Sequence, residues 1–422
     1  MKISMVSEHA SPLAALGGVD AGGQNVHVAA LSSALADRGH QVTVYTRRDD
    51  PDLPAKVQVG PGLSVVHVDA GPARRIPKDH LLPYMGELAD GICADWAGDV
   101  PDVLHAHFWM SGLAALQASR RAGADLPVPV VQTFHALGSV KRRHQGAADT
   151  SPPAREWLEP WVGRTASWVI ATCPDEVFEL MALGISRSRI SIAPCGVDLT
   201  LFPGTSDAEP KTRTHRILSV GRLVQRKGVD LIIQALPLLA EAGFNDVELL
   251  IVGGSGDALT LEEDPEAQRL HTLAKELGVE DKVTMRGQVP RDAMPGIFRS
   301  ADAVVCAPWY EPFGIVPLEA MACGIPVVAA AVGGLRETVV DQKTGLHVPP
   351  RDPEALAEAL GKLLADPDLR ADMGRAGARR ARSRYSWERI AAVTEKAYGS
   401  VLAAGLSRQA GESLEPLEGT AL

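Results

Sequence analysis

The feature that most constrains the fold of this chain is a rhythm. Short runs rich in Val and Ile recur between longer amphipathic stretches, and the series occurs twice. Continuous apolar runs of strand length mark strands covered on both faces, and the intervening stretches supply covering helices. Together they write strand-helix-strand units around a parallel sheet. In the first half strands are expected at 3–6, 42–45, 65–68, 103–105, 130–133, 169–172 and 190–192. In the second they are expected at 216–220, 247–252, 283–285, 303–306, 326–329 and 345–348. At 422 residues the chain exceeds what one core usually supports. The expected fold class is therefore α/β, with two Rossmann-like, doubly wound parallel-sheet domains facing a cleft.

A stretch at 194–214, rich in Pro, Gly and acidic residues, breaks the rhythm and is expected to be the hinge. This divides the chain into domains 1–204 and 205–385, then a helix at 386–404 set to cross back to the first domain, and a disordered tail at 405–422. With 45% hydrophobic and 22% charged residues the composition is that of a soluble globular protein. A net charge of -10 argues against nucleic acid as a partner, since affinity for it comes from Lys and Arg neutralising phosphates. Cys93, Cys173, Cys195, Cys306 and Cys323 lack metal-like or redox-like spacing, and their odd number suits a reducing compartment without disulfides. The N-terminus reads as a strand rather than a signal peptide, and no run of about 18 apolar residues occurs. A cytoplasmic location is expected, with membrane contact at most peripheral.

Four constellations carry chemistry. A glycine-rich turn ending in Gly22 and Gly23 lies between the first strand and a helix starting near Gln24. It lacks the G-x-G-x-x-G spacing, but glycines let backbone amides approach a phosphate or sugar at a helix N-terminus; the bland reading is a tight turn. In Trp309-Tyr-Glu-Pro-Phe-Gly-Ile-Val-Pro-Leu-Glu, Glu311 lies in a loop and Glu319 about a turn inside a helix. A helix opening near Gly314 aims the free amides of Phe313, Gly314 and Ile315 at the cleft. One carboxylate then holds a transferred sugar and the other a ribose. In Gly221-Arg-Leu-Val-Gln-Arg-Lys-Gly, cations flank a turn that follows a strand: Arg222 engages phosphate bidentately and Lys227 supplies a compact charge for a diphosphate leaving group. A solvated basic turn is the alternative. His105, His107 and His135 end neighbouring strands, and with no acid or Cys adjacent they are expected to contact sugar hydroxyls rather than a metal.

Other features are expected to be structural. The Asp-Pro-Asp runs at 50–52 and 366–368 read as turns. Trp157, Trp161 and Trp168 are near helical spacing and are expected in a core. Lys78, Lys141, Arg142, Arg143, His144 and Arg155 concentrate positive charge in the first half, which fits either a phosphorylated acceptor or an anionic surface.

The combination resembles the retaining GT-B glycosyltransferases, in the branch of sucrose-phosphate synthases, sucrose synthases and the glycosyltransferase of mycothiol biosynthesis. It is carried by Asp20-Ala-Gly-Gly-Gln-Asn-Val, Tyr45-Thr-Arg-Arg, Pro77-Lys-Asp-His, His105-Ala-His, Thr133-Phe-His-Ala-Leu-Gly-Ser-Val-Lys, Gly196-Val-Asp, Gly221-Arg-Leu with Arg226-Lys-Gly, and the segment from Glu311 to Glu319. The resemblance implies transfer of a hexosyl unit from a nucleotide-diphosphate sugar, a UDP-sugar above all, by front-face displacement. Arg222 and Lys227 would bind the diphosphate, Glu319 the ribose, Glu311 and the following amides the sugar, and His135 the sugar near its reacting carbon. Gly22 and Gly23 would face the diphosphate and Val289 the nucleobase. No metal or other cofactor is implied, because the cations take that role. Gln24, Asn25, Lys78, Lys141 and Arg155 would hold a small sugar, sugar-phosphate or polyol acceptor. Phe108 and Ala136 replace hydroxylated residues of the relatives, each a loss of about 1.5–3 kcal/mol toward a phosphate.

Three other readings compete. An oxidoreductase needs a true G-x-G-x-x-G turn with an acid about 20 residues on, and neither half supplies the pair. A non-catalytic sugar-binding protein predicts losses among Arg222, Lys227, Glu311 and Glu319, yet all are present. A GT-B nucleotide-sugar epimerase is the nearest rival within the fold.

Overall fold

The computed structural model describes residues 1–14, 22–122, 127–254 and 263–404 in full and the backbone of 405–412. The first half holds β1 (Lys2–Val6), β2 (Gln41–Arg47), β3 (Lys56–Gly60), β4 (Leu63–Val68), β5 (Val103–His107), β6 (Val130–Thr133), β7 (Trp168–Ala171) and β8 (Ile190–Ile192). They form one sheet in the order β3-β4-β2-β1-β5-β6-β7-β8, parallel except where β3 meets β4. The second half holds β9 (His215–Val220), β10 (Val247–Val252), β11 (Val283–Met285), β12 (Ala303–Cys306), β13 (Val327–Ala330) and β14 (Gly345–Val348), ordered β11-β10-β9-β12-β13-β14 and parallel.

This topology fixes where a ligand can sit. Strand order reverses between β1 and β5 in one sheet and between β9 and β12 in the other. The crevices therefore lie outside the carboxyl ends of those strands, and the loops there carry most of the motifs noted above. Both faces of each sheet are buried: Ile3, Val42 and Val44 pack with the helix Gly23–Asp37, while Leu104, Val130 and Val169 face the opposite cluster.

β3 was not expected. It is an edge strand with mostly exposed positions and joins antiparallel to β4, so its Lys-Val-Gln-Val-Gly lacks the continuous apolar signature of its neighbours. The tryptophans also differ from expectation. Trp157 is 63% exposed, Trp161 and Trp168 only edge the core, and Trp168 opens β7. On the helix Arg155–Thr165 the inward stripe is taken by Arg155, Glu159 and Val162, leaving Trp157 outside. The last helix is longer than expected, running Trp387–Glu412 where a tail was placed from 405; residues 413–422 lie outside the described ones.

The chain passes between the two sheets twice, side by side. Val197 pairs with Ser386 in a parallel bridge, its amide donates to the Tyr385 carbonyl at 2.7 Å, and Arg382 donates to the Pro203 carbonyl at 2.9 Å. The helix Trp387–Glu412 then packs on the first sheet, where Trp387, Ile390, Ala391, Tyr398 and Val401 join Ile3, Met5, Val28 and Leu31. Each such side chain contributes about 1.5–3 kcal/mol on burial.

Candidate active site

The second half forms one wall from two tight turns. After β9 a short turn, Gln225–Lys227, is closed by Gly228 at φ 66°, where a Cβ would lie 2.1 Å from the Ala307 carbonyl oxygen. Only glycine fits, and the close approach brings Lys227 to the loop after β12, where its ammonium donates to the Glu311 carboxylate. Burial alone would raise the Glu311 pKa, but Lys227, Arg226 and Arg222 together outweigh it and hold the carboxyl below its ordinary value. Glu311 is thus an anion at neutral pH. Arg222 stands exposed on the rim. The Arg226 guanidinium lies over the Tyr310 ring, 5.2 Å from the centroid.

The helix Ile315–Ala322 starts after Gly314, whose φ of 77° and 2.9 Å approach of a would-be Cβ to Leu335 again select glycine. Among the described residues no acceptor meets the amides of Phe313, Gly314 and Ile315, so three donors and the positive end of the helix face the cleft. One turn in, Glu319 is 4% exposed and accepts from Arg291 Nη2 at 2.9 Å. Burial raises its pKa to about 7 against the pull of Arg291. Half-buried Val289 packs into the same core.

A group whose folded pKa is raised adds stability that is complete below its unfolded value, 4.5, and lost as pH climbs through about 7. Glu319→Gln, which keeps an oxygen for Arg291, is therefore expected to melt higher than the wild type at pH 8, by on the order of 2 kcal/mol. The advantage should shrink as pH falls through about 7 and vanish only below 4.5. Calorimetry of the ligand-free protein across that range checks it; a pH-independent difference would contradict the assignment.

The first half supplies an imidazole cluster. Phe108 and His135 sit at φ 85° and 62°, left-handed backbone that costs of order 1–3 kcal/mol each outside glycine. His107 Nδ1 and His135 Nε2 are 2.9 Å apart, sharing one proton. His27 adds a third ring, 5.0 Å from His135, and Phe313 reaches across from the other half to 5.1 Å from His135. Burial, then mutual repulsion, drives His107 and His135 well below the usual imidazole range, and burial takes His27 to about 4. All three are neutral hydrogen-bonding groups at physiological pH. His135 Nδ1 and His107 Nε2 are buried without a partner among the described residues.

His105 corrects an expectation. It is fully buried, with its ring nitrogens held by Tyr398 Oη at 2.7 Å and Thr133 Oγ1 at 2.9 Å, so it ties the last helix to the sheet instead of meeting a ligand.

Of the expected acceptor residues, Gln24 donates to Ser7 Oγ at 3.1 Å and to the His107 carbonyl at 3.2 Å. Asn25 is buried, its amide donating to the Ser11 carbonyl and its oxygen accepting from the Gly22 amide. Gly23 lies against Ile315 and Phe313, with a would-be Cβ 3.3 Å from Ile315 Cδ1, whereas Gly22 has open space at that position. The remaining expected glycine-loop residues lie outside the described ones. Lys78 is half-buried on the turn Lys78–His80, which Thr150 ties down through Asp79.

Lys141 and Arg155 are brought to this wall with their charges already met. Lys141 pairs with Asp149 at 2.7 Å, and Arg155, 3% exposed, pairs with Glu159 at 2.8 Å while donating to the Ala136 carbonyl. The Arg155 guanidinium also lies over the Phe108 ring at 5.1 Å. Phe108 and Ala136 thus both touch Arg155. Between the halves a cavity of about 250 Å³ opens beside Ala136, Val140, Glu176, Tyr310 and Glu311.

Sequence reasoning missed Arg291, His27 and Glu159. Arg291 and Glu319 are far apart in sequence and nothing local links them. His27, however, stands one turn past Gly23 on the same helix, a spacing that signals a shared face.

Residues 206–380 match the family model described as glycosyl transferases group 1, and residues 21–201 that of glycosyltransferase family 4. The D-inositol 3-phosphate glycosyltransferase of Xylanimonas cellulosilytica is 38% identical over 414 residues, spanning 94% of this chain and 96% of that one. That of Streptomyces scabiei is 34% identical, spanning 95% of this chain and 91% of the relative. The structure of sucrose-phosphate synthase from Thermosynechococcus elongatus aligns with a TM-score of 0.84 at 32% identity, covering 96% of this chain and 99% of that one. The chain belongs to the group 1 glycosyltransferases and has their GT-B fold. It is a nucleotide-sugar-dependent transferase.

Proposed function

We propose that this enzyme moves a hexosyl unit from a UDP-sugar to a hydroxyl of a small polyol or sugar phosphate, with retention of anomeric configuration. The observation that carries the reading is the Lys227–Glu311 pair beside Arg222 and three open amides at a helix N-terminus. A diphosphate placed there meets both cations, and the charge that builds on it as the sugar bond breaks is neutralised in a half-buried site. Glu311 is held ionised, ready to accept sugar hydroxyls. Neutral His135 offers a hydrogen bond near the reacting carbon without adding positive charge to it. Glu319 and the backbone at Val289 would take the ribose and base. Front-face attack needs no protein nucleophile, because the departing phosphate itself accepts the acceptor proton. Gly22 and Gly23 would border the diphosphate, and Gln24, Asn25, Lys78, Lys141 and Arg155 the acceptor. Free cysteines throughout suit a cytoplasmic setting.

The UDP-sugar rests on the motif resemblance alone, while a phosphorylated acceptor is supported by the activity in the name of the D-inositol 3-phosphate glycosyltransferases. A second reading, an acceptor without phosphate, is favoured by Asp149 and Glu159, which already neutralise Lys141 and Arg155. One experiment addresses both. Thermal stabilisation is measured with UDP-, GDP- and ADP-sugars, and products are then analysed by NMR with inositol, hexoses and their monophosphates. A UDP-sugar should stabilise most and the product should keep the donor's anomeric configuration. Inversion, or no stabilisation by any nucleotide sugar, would overturn the proposal.

A further inference from the structure

Beside Phe108, on the same side of the cleft, lies a pair of residues that the motifs above do not include. Glu8 and His9 follow β1 at its carboxyl end, where the strand order of the first sheet reverses. Glu8 is 1% exposed, an uncommon place for a carboxylate unless its bonds are satisfied. One oxygen accepts from His9 Nδ1 at 2.7 Å and the other from the hydroxyl of Ser111, which is itself fully buried. The Glu8 amide donates back to Ser111 Oγ at 3.0 Å, so the carboxylate is clamped from two sides. An acceptor-only carboxylate at Nδ1 requires the proton there. In the neutral ring the other nitrogen, Nε2, then carries a lone pair.

That nitrogen has no partner among the described residues, and the His9 side chain keeps 12% exposure. The ring stands edge-on to Phe108, with centroids 5.0 Å apart, and Arg155 lies over the same Phe108 ring. His9 is therefore the one partly exposed member of the row Glu8, His9, Phe108, Arg155 beside the acceptor side as the proposed function defines it, and the inference rests on that reading.

We propose that Glu8 is a positioning residue: it fixes the Nδ1–H tautomer of His9 so that Nε2 accepts a hydrogen bond from a hydroxyl of the sugar acceptor. Phe108 and Ala136 present no side-chain hydroxyl here, and the oriented imidazole supplies a polar contact beside them. Buried carboxylates fix histidine tautomers in this way generally, and the loss of such a partner leaves the ring free to present the wrong nitrogen.

The test has two arms. Nitrogen-15 NMR of the ligand-free protein at pH 8 should show His9 as the Nδ1–H tautomer in the wild type and in Glu8→Gln, whose amide oxygen still accepts, and a mixture in Glu8→Val. An Nε2–H tautomer in the wild type would overturn the proposal without touching the assigned reaction. In steady-state assays with UDP-glucose and either myo-inositol or its 3-phosphate, Glu8→Val should lower kcat/KM for the acceptor roughly 10- to 100-fold, with UDP affinity unchanged. Glu8→Gln should recover most of it, and His9→Ala combined with Glu8→Val should be no worse than His9→Ala alone. Additive losses, or equal activity of Glu8→Val and wild type, would overturn it. A wild type that turns over no acceptor but shows the stated tautomer would count against the proposed function and leave the orientation by Glu8 standing.

Discussion

Lys227→Ala is expected to lower kcat/KM about 10²–10³-fold, the usual loss when one preorganised charge partner of a leaving group is removed. Two losses coincide. The diphosphate forfeits a cation, and Glu311 forfeits the strongest of the charges that keep it ionised against burial. The carboxyl pKa of Glu311 should then move up, shifting the acid limb of the pH–rate profile to higher pH. Lys227→Arg keeps the charge but not its compact form, so it should recover only part of the rate. Steady-state kinetics across pH with saturating acceptor decides the matter; a loss under tenfold with an unshifted acid limb would remove Lys227 from the chemistry.

Glu159→Ala should cost about 3–5 kcal/mol of stability, the range for removing one member of a buried ion pair. Arg155 is 3% exposed and would keep its charge with only Ser151, the Ala136 carbonyl and two aromatic faces for company. Glu159 also accepts the Gly138 amide at 2.6 Å, so the start of the helix Gly138–Gln145 loosens with it. In contrast, replacing both Arg155 and Glu159 by Leu should restore most of the loss, because an apolar pair of similar volume leaves no charge behind. Denaturant unfolding of the two variants gives the comparison. Equal destabilisation of single and double variants would show that packing, not the stranded guanidinium, sets the cost.

The strands were legible because a parallel sheet covered on both faces writes itself as short, mostly apolar runs, as at β7, β12 and β13. β3 was not, since an exposed edge strand has no such run. The second-half wall could be read from Gly221 to Gly228 and from Glu311 to Glu319, where turn glycines and charges lie within a few residues of one another. What could not be read was pairing at a distance: Arg291 with Glu319, or Ser111 with Glu8. Nor does a list of cations reveal their partners. Lys141 and Arg155 read as unspent positive charge, yet Asp149 and Glu159 stand against them, the second only one helical turn along. His105 looked like a ligand contact because strand-end position says nothing about which face of the sheet its ring enters.

The return of the last helix has a consequence for how the protein is put together. Met1 hydrogen-bonds His40, and Glu395 pairs with Arg38, so the two ends of the described chain are fastened to the same sheet. The second body, built on β9 to β14, is thus an insert, spliced into its neighbour between β8 and Trp387 and joined by two adjacent threads. A nascent chain cannot finish its first body until the second has been made, and a truncation ahead of Trp387 leaves Val28 and Leu31 without their cover. Both threads lie side by side at Val197 and Ser386, and we propose that line as the hinge about which the two bodies swing.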